Sequence, residues 1–392
     1  MEMGWIMEFL AGMGKLFLHP LFYFSFFLCI VMGYHRVKRE RKNFKIRVED
    51  GYFELRNVLP LGILIGLGLS IITILSGLVV PFAAIIVMGV VSILIGLTLQ
   101  YRLLTPSHIV GVTIFVLFFL NAFNLSIPSL EIDEPLYPAL AVLMGLLMIA
   151  EGMLIRRNAI HRTSPKLIQS NRGMTVGVHE SNRLWMVPFF LFVPGGELVA
   201  PFEWWPIFQL GDELTLTPIV IPFLIGFSQQ VQGQLPKEAI AVNGARVMML
   251  GIIILGIGIG SIWIPVLTIF AAAVAIFGRE LLSYKNKMQE QHLPFFFTKR
   301  DHGVLILGII PHSPAYKMAL QAGEVITKVN GTVVRTEKEL YKALQRNRAY
   351  CKLEVLDVFD QIRFVQRALY EGEHHELGIL FVQEKRSEQQ VV

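Results

Sequence analysis

The chain has 392 residues, 54% of them hydrophobic and 17% charged, with a formal net charge of +5. Soluble domains carry about 25% charged residues, so the composition excludes an ordinary soluble globular protein. The two cysteines, Cys29 and Cys351, lie far apart in segments of different character, which excludes a disulfide framework.

In chain order, residues 1–15 carry only Lys15 as a basic residue, and no small-residue cleavage site follows the first apolar run. That run, Leu16 to Tyr34, is expected to be a retained anchor rather than a removed signal. A bilayer crossing needs about 20 apolar residues. Val58 to Leu99 is twice that length and broken at Pro81, which predicts a helical hairpin. Ile109 to Leu125 and Leu136 to Ile155 are single runs. Leu184 to Ala200 is shorter and holds Pro188, Pro194, Gly195 and Gly196. Trp205 to Phe227 is interrupted by Asp212, Glu213, Pro218 and Pro222, so 205–215 reads as a loop or re-entrant piece. Ala245 to Leu282 is again double, with Pro265 at the bend. The fold class expected is a polytopic α-helical membrane domain of seven to nine spans, followed by a soluble α+β domain.

Basic residues set orientation. Segments 35–57 and 156–183 are rich in Arg and Lys, whereas the loops at 128–135 and 197–213 are acidic. The first pair is expected in the cytoplasm, with the N-terminus outside and everything after Leu282 inside; an N-terminus inside, with the first run not crossing, is the alternative. The 35–57 segment could also contact anionic lipid; setting topology alone would explain it equally well.

Composition then divides the chain into a membrane region 1–283, a linker 284–293, a soluble domain 294–383 and a polar tail 384–392. Within the soluble part, the apolar run Gly303 to Ile310 reads as a strand stopped by Pro311. Ser313 before Pro314 suits a helix N-cap, Gly323 a helix exit, and Asn330-Gly331 a tight hairpin turn. Thr336 to Gln345 reads as a helix; Pro294 to His302, Leu353 to Val358, Ile362 to Gln366 and Leu377 to Val382 read as strands.

Ser313-Pro314-Ala315, Gly323, Val325-Ile326 and Val329-Asn330-Gly331 resemble the middle of the bacterial PDZ domain, with Glu324 where that family usually has Asp. The resemblance implies peptide binding by strand addition beside a helix. It places the candidate groove at Leu377, Gly378 and Ile379, the apolar-Gly-apolar loop, with Leu340 and Leu344 on the helix; the alternative strand, Leu293 to Phe297, has no glycine.

Catalytic patterns are not found. None of the ten histidines forms His-Glu-x-x-His, and His179-Glu180-Ser181-Asn182-Arg183 fails at the last position. Gly226-Phe227-Ser228 has no histidine in the spans that follow. No cofactor, metal or nucleic-acid motif is present, so no catalytic, cofactor or metal residues are assigned. His19, Asn121, Asn124 and Glu151 are polar residues within apolar runs, expected to cap or to bond a neighbour. The glycines at 62, 66 and 68 and at 251, 256, 258 and 260 are expected to allow close packing.

Leu18-His19-Pro20-Leu21-Phe22-Tyr23-Phe24, the stretch Gly33 to Lys42, Arg47 to Tyr52 and Leu307 to Pro311 extend the resemblance to nearly the whole chain. They resemble the cell-division topological determinants of rod-shaped Gram-positive bacteria. That resemblance implies a non-enzymatic adaptor at division septa and cell poles. It would link a DivIVA-like polar scaffold to MinD with MinC and to divisome membrane proteins, with self-association left open. A PDZ-bearing transporter or a regulator of a membrane protease is the alternative.

Overall fold

The computed structural model describes residues 2–123, 137–170, 172–199, 205–206, 215–346, 350–368 and 377–382. Asn124, the 128–135 loop and the polar tail lie outside the described residues.

The first apolar run is divided, because Pro20 cannot continue a helix from upstream. Helix α1 covers Glu2–Leu18 and α2 covers Pro20–Phe44, with His19 between them as the N-cap of α2. His19 Nδ1 accepts the Leu21 N–H at 3.2 Å, the capping role expected of it. A short α3, Phe53–Asn57, leads into α4, Pro60–Ser76, and α5, Phe82–Leu97; the break falls at Gly77–Pro81 as the proline suggests. Helices α6 (Pro106–Ala122), α7 (Tyr137–Leu154), α8 (Pro236–Gly260) and α9 (Leu267–His292) complete the bundle. Among the described residues, five helical segments are long and apolar enough to cross a membrane, and α5 and α6 are shorter apolar helices. Juncture 284–293, expected as a linker, is instead the end of α9, with Leu293 as its C-cap.

Small residues let these elements approach. Gly145 and Gly152 on α7 face Leu255 and Met248 on α8, and Gly251 and Gly258 face the α7 backbone, so a side chain at any of them would collide. Glu151 on α7 is fully buried and paired with Arg279 on α9 at 2.9 Å.

The 184–227 region overturns the helical reading. Strands β1 (Ser164–Gln169), β2 (Thr175–Val199) and β3 (Thr215–Val231) form an antiparallel sheet in that order. The hairpin of β2 and β3 runs up through the bundle, with Trp185, Phe189, Phe192 and Phe227 almost wholly buried. Its prolines all have one parity. Pro188 pairs with Pro222, Phe192 with Pro218 and Pro194 with Leu216. Even-numbered residues turn their N–H groups away from the hairpin: Met186 N–H goes to Val58 O, Phe192 N–H to Leu78 O and Gly226 N–H to Leu104 O. Proline at these positions therefore removes no ladder bond.

The outer edge of β2 is covered by α4. Phe190 N–H donates to Ser70 Oγ at 3.1 Å, and Thr73 Oγ1 donates to Phe190 O at 2.6 Å. Gly62 and Gly66 lie against the carbonyls of Met186 and Pro188, so these glycines receive a strand rather than another helix. Without water every backbone group must find a protein partner, and a helix carrying Gly, Ser and Thr provides them.

Below the bundle lies the α+β domain. Strands β4 (Val304–Leu305), β6 (Val325–Val329), β8 (Tyr350–Leu356) and β9 (Ile362–Ala368) pair in that order, with β7 (Thr332–Val333) on β6. Strands β5 (Gly308–Ile309) and β10 (Ile379–Leu380) form a second ribbon; α10 (Pro314–Lys317) and α11 (Glu337–Arg346) complete the domain. It packs on the membrane region through Phe297, Leu305, Leu307, Val325 and Leu380, which cluster with Phe44 and Val48. Residues 294–302, expected as a strand and turn, form only isolated bridges, Gly177 with Phe297 and Arg300 with Gly303.

Candidate peptide-docking site

The turns of the α+β domain follow local chemistry. Ser313 Oγ accepts the Tyr316 N–H at 3.2 Å and caps α10, with Pro314 in the first turn. The helix exits through Ala319 at φ 54°, and Gly323, at φ 97°, serves the next turn rather than the exit. Glu324 is nearly buried. It accepts the Gln321 N–H at 2.9 Å and pairs with Arg363 at 2.5 Å, so the longer carboxylate still closes the turn. Burial raises the Glu324 carboxyl above its ordinary value, against the pull of these partners. Asn330-Gly331 has positive φ at both residues, as its tight turn requires. Asn330 Oδ1 then accepts the Lys352 N–H at 2.9 Å, tying the turn to β8.

The predicted groove residues meet around one strand. Leu377 O accepts the Ala315 N–H at 2.9 Å, Gly378 O the Ile310 N–H at 2.9 Å and Leu380 O the Leu307 N–H at 2.8 Å. Among the described residues β10 pairs with β5 alone, which leaves its other edge without a strand. Leu377, Leu340 and Leu344 are fully buried, and Ile379 nearly so, in one core with Phe381 and Ala315. Their side chains are floor and support rather than open walls. Gly378 has φ 77°, and a Cβ there would collide with Ser313. Only glycine holds this loop without strain.

The opening beside them lies further along, a cavity of about 550 Å³ between the first turn of α11 and the end of β10. Phe381 and Val382 line it on one side and Arg335 to Lys338 on the other. Lys299, Arg300, Arg335 and Lys338 lie on its lining against the single acid Glu337, so its field is positive. The α11 start is held by a capping arrangement: Thr336 Oγ1 accepts the Glu339 N–H at 3.3 Å, and Glu339 Oε2 accepts the Arg335 N–H at 2.8 Å. That backbone bond holds the Glu339 carboxyl below its ordinary value. The sequence reading missed Phe381, Val382, Arg335 and Lys338. The signal was the continuation of the Leu377–Val382 strand past its glycine loop, together with basic residues at the helix start.

His179 joins the two regions. It is almost fully buried; its Nε2 donates to Leu307 O at 2.8 Å and its Nδ1 accepts from Thr163 Oγ1 at 2.8 Å. Burial lowers its pKa to about 4. Among the described residues no group of His, Cys, Asp and Glu could hold a metal ion.

A bundle of long apolar helices joined to such a domain defines a membrane protein carrying a small α+β module. Residues 305–356 match the PDZ domain family. Over its full length the chain is 41% identical to the cell division topological determinant MinJ of Bacillus subtilis strain 168, covering 99% of that protein. It is 25% identical to the probable cell division topological determinant MinJ of Lacticaseibacillus paracasei, over 93% of this chain and 96% of that one. A 73-residue stretch is 30% identical to the mitochondrial serine protease HTRA2 of Drosophila ananassae, which is 19% of this chain and 16% of that protein. The chain belongs to the MinJ family of cell division topological determinants. Its relatives over the full length are named for division rather than for catalysis, and a PDZ domain is not a catalytic module.

Proposed function

We propose that this protein is a membrane scaffold for division-site selection, docking peptides of its partners on the free edge of β10. The full-length match to division determinants, together with that edge, carries the reading. An incoming strand would pair with the main chain of Ile379 to Val382, over a floor that includes Leu340 and Leu344. Leu377-Gly378-Ile379 would supply N–H groups to a carboxylate, and the basic cavity favours acidic peptides. The partners in this reading are a DivIVA-like polar scaffold, MinD with MinC, and divisome membrane proteins. Confinement to the bilayer raises local concentration, so weak single contacts suffice.

The docking domain, residues 294–383, lies in the cytoplasm in this reading, beneath a membrane region of seven spans. The packing supports that arrangement. The two basic segments meet at one end, where Arg39 pairs with Glu180 and Arg162 with Glu49, and the domain docks at that same end. Positive charge gathered there is what a cytoplasmic face carries.

The test is imaging of a fluorescent fusion in growing rods, with a deletion strain beside it. Septal and polar bands with filamentation on deletion are expected. Even membrane fluorescence with normal cell length would refute the reading.

A further inference from the structure

A second site lies where the unusual N-terminal motifs converge. A cavity of about 270 Å³ opens between α2, α3 and β2. Its lining includes Arg36, Arg39, Arg162 and Arg183, together with the carboxylates of Glu49, Glu54 and Glu180. Three of these guanidinium groups gather round the Phe53 ring, with Arg183 Cζ 4.8 Å and those of Arg36 and Arg162 each 5.8 Å from its centroid.

The carboxylates nearby are already engaged. Arg36 binds Glu54 at 2.6 Å and Glu40 at 3.1 Å, and its Nη2 also donates to Asp50 O at 2.6 Å. Glu40 further accepts the Val48 N–H at 2.8 Å and the Ser164 hydroxyl at 2.8 Å. Glu180 is taken by Arg39, and Glu49 faces Arg162 at 3.8 Å. Arg183 has no carboxylate partner among the described residues. It is 6% exposed, and it donates through Nη2 to the carbonyls of His161 and Arg162. Its Nε, like that of Arg39, is buried without a hydrogen-bond partner. The charges of Glu54 and Glu49 act on it without a hydrogen bond, but these carboxylates are engaged by Arg36 and Arg162, so the burial of this cation is only partly compensated.

We infer that this cavity binds a phosphate-bearing anion, with Arg183 as its charge partner and Arg39 and Arg162 completing the cradle. Guanidinium forks match phosphate oxygens in pairs. The cavity begins at Met32 and His35, where α2 passes from its apolar stretch into Arg36, Lys38 and Arg39. That is the level at which a lipid headgroup presents its phosphate. A soluble phosphate ester entering from the cytoplasm has the same chemistry. This site is independent of the PDZ reading.

The test uses the full chain in a zwitterionic detergent. Thermal unfolding is followed with phosphatidylglycerol, with glycerol phosphate and with phosphatidylcholine as the neutral control. Saturable stabilisation by at least one of the first two is expected, and none by the third. A response to phosphatidylglycerol alone identifies a headgroup site, and a response to glycerol phosphate as well identifies a soluble ligand. Arg183→Gln should weaken the apparent affinity about ten-fold, the worth of one charge-assisted contact. Arg162→Ala, at the half-exposed rim, should weaken it about three-fold by the same reasoning. It keeps the test decisive if R183Q does not fold. No stabilisation of the wild type by either anion, or an unchanged response in R162A, overturns the inference.

Discussion

The two strand edges of this molecule are treated in opposite ways. The outer edge of β2 lies inside the membrane region and is closed by Val58, Ser70, Thr73 and Leu78. The edge of β10 lies in the α+β domain, and among the described residues no strand covers it. Solvent explains the difference. In a bilayer an open edge has nothing to bond, so it must be closed within the chain. In water an open edge is tolerated, and it becomes a place for a partner's strand.

The largest effect should come from preventing α4 from closing the membrane edge. Gly66→Val places a branched side chain against the Pro188 backbone. A loss of about 3 kcal/mol or more is expected from such overpacking, read as loss of folded protein in detergent. A well-folded G66V would show that the close approach is not required.

Next comes the histidine that couples the regions. Burial holds the folded His179 near 4, below its ordinary 6.5. The unfolded chain takes up the proton first, so stability is intact above pH 6.5 and falls as the pH drops towards 4. At about 1.4 kcal/mol per pH unit the loss approaches ~3 kcal/mol. Unfolding midpoints of wild type and His179→Gln, compared across that range, should show a fall in the wild type that the variant lacks. Parallel curves would refute the coupling.

Ser70→Ala should be milder. It leaves the Phe190 N–H without its partner, at a cost of about 1–3 kcal/mol. Its Tm in detergent should fall, while a control at Ser76, whose hydroxyl bonds only within α4, stays near the wild type. Equal shifts would mean that the strand edge is not the cause.

The smallest effect on folding, and the sharpest on binding, belongs to the open edge. Charge reversal of Arg335 and Lys338 to Glu should weaken an acidic peptide about ten-fold, roughly 1.4 kcal/mol, with the Tm nearly unchanged. Peptide titration by fluorescence anisotropy reads the affinity and a thermal melt reads the Tm; an unchanged affinity would refute docking at this edge. Gly378→Asp, which would introduce a competing charge directly, is the poorer variant. Its positive φ and the contact with Ser313 would disturb the loop as well as the ligand.

The amino-acid sequence determined what depends on near neighbours. Apolar runs with a break at Pro81 and a bend near Pro265 marked helices α4 to α9. Ser313-Pro314 and Asn330-Gly331 marked their turns because capping and positive φ are properties of one or two residues. Glu151 was legible as a polar residue that bonds a neighbour; its partner, 128 positions away, was not. Pro188, Pro218 and Pro222 interrupted the apolar runs without showing a strand, because a continuous apolar run does not by itself distinguish a buried strand from a helix. Only tertiary structure decided that these prolines share one edge parity, that α4 closes that edge, and that Leu377, Leu340 and Leu344 are buried in one core. It also gathered Arg36, Arg39, Arg162 and Arg183 around one cavity. Register, burial and charge pairing across more than a hundred residues are set by packing, which no local pattern encodes.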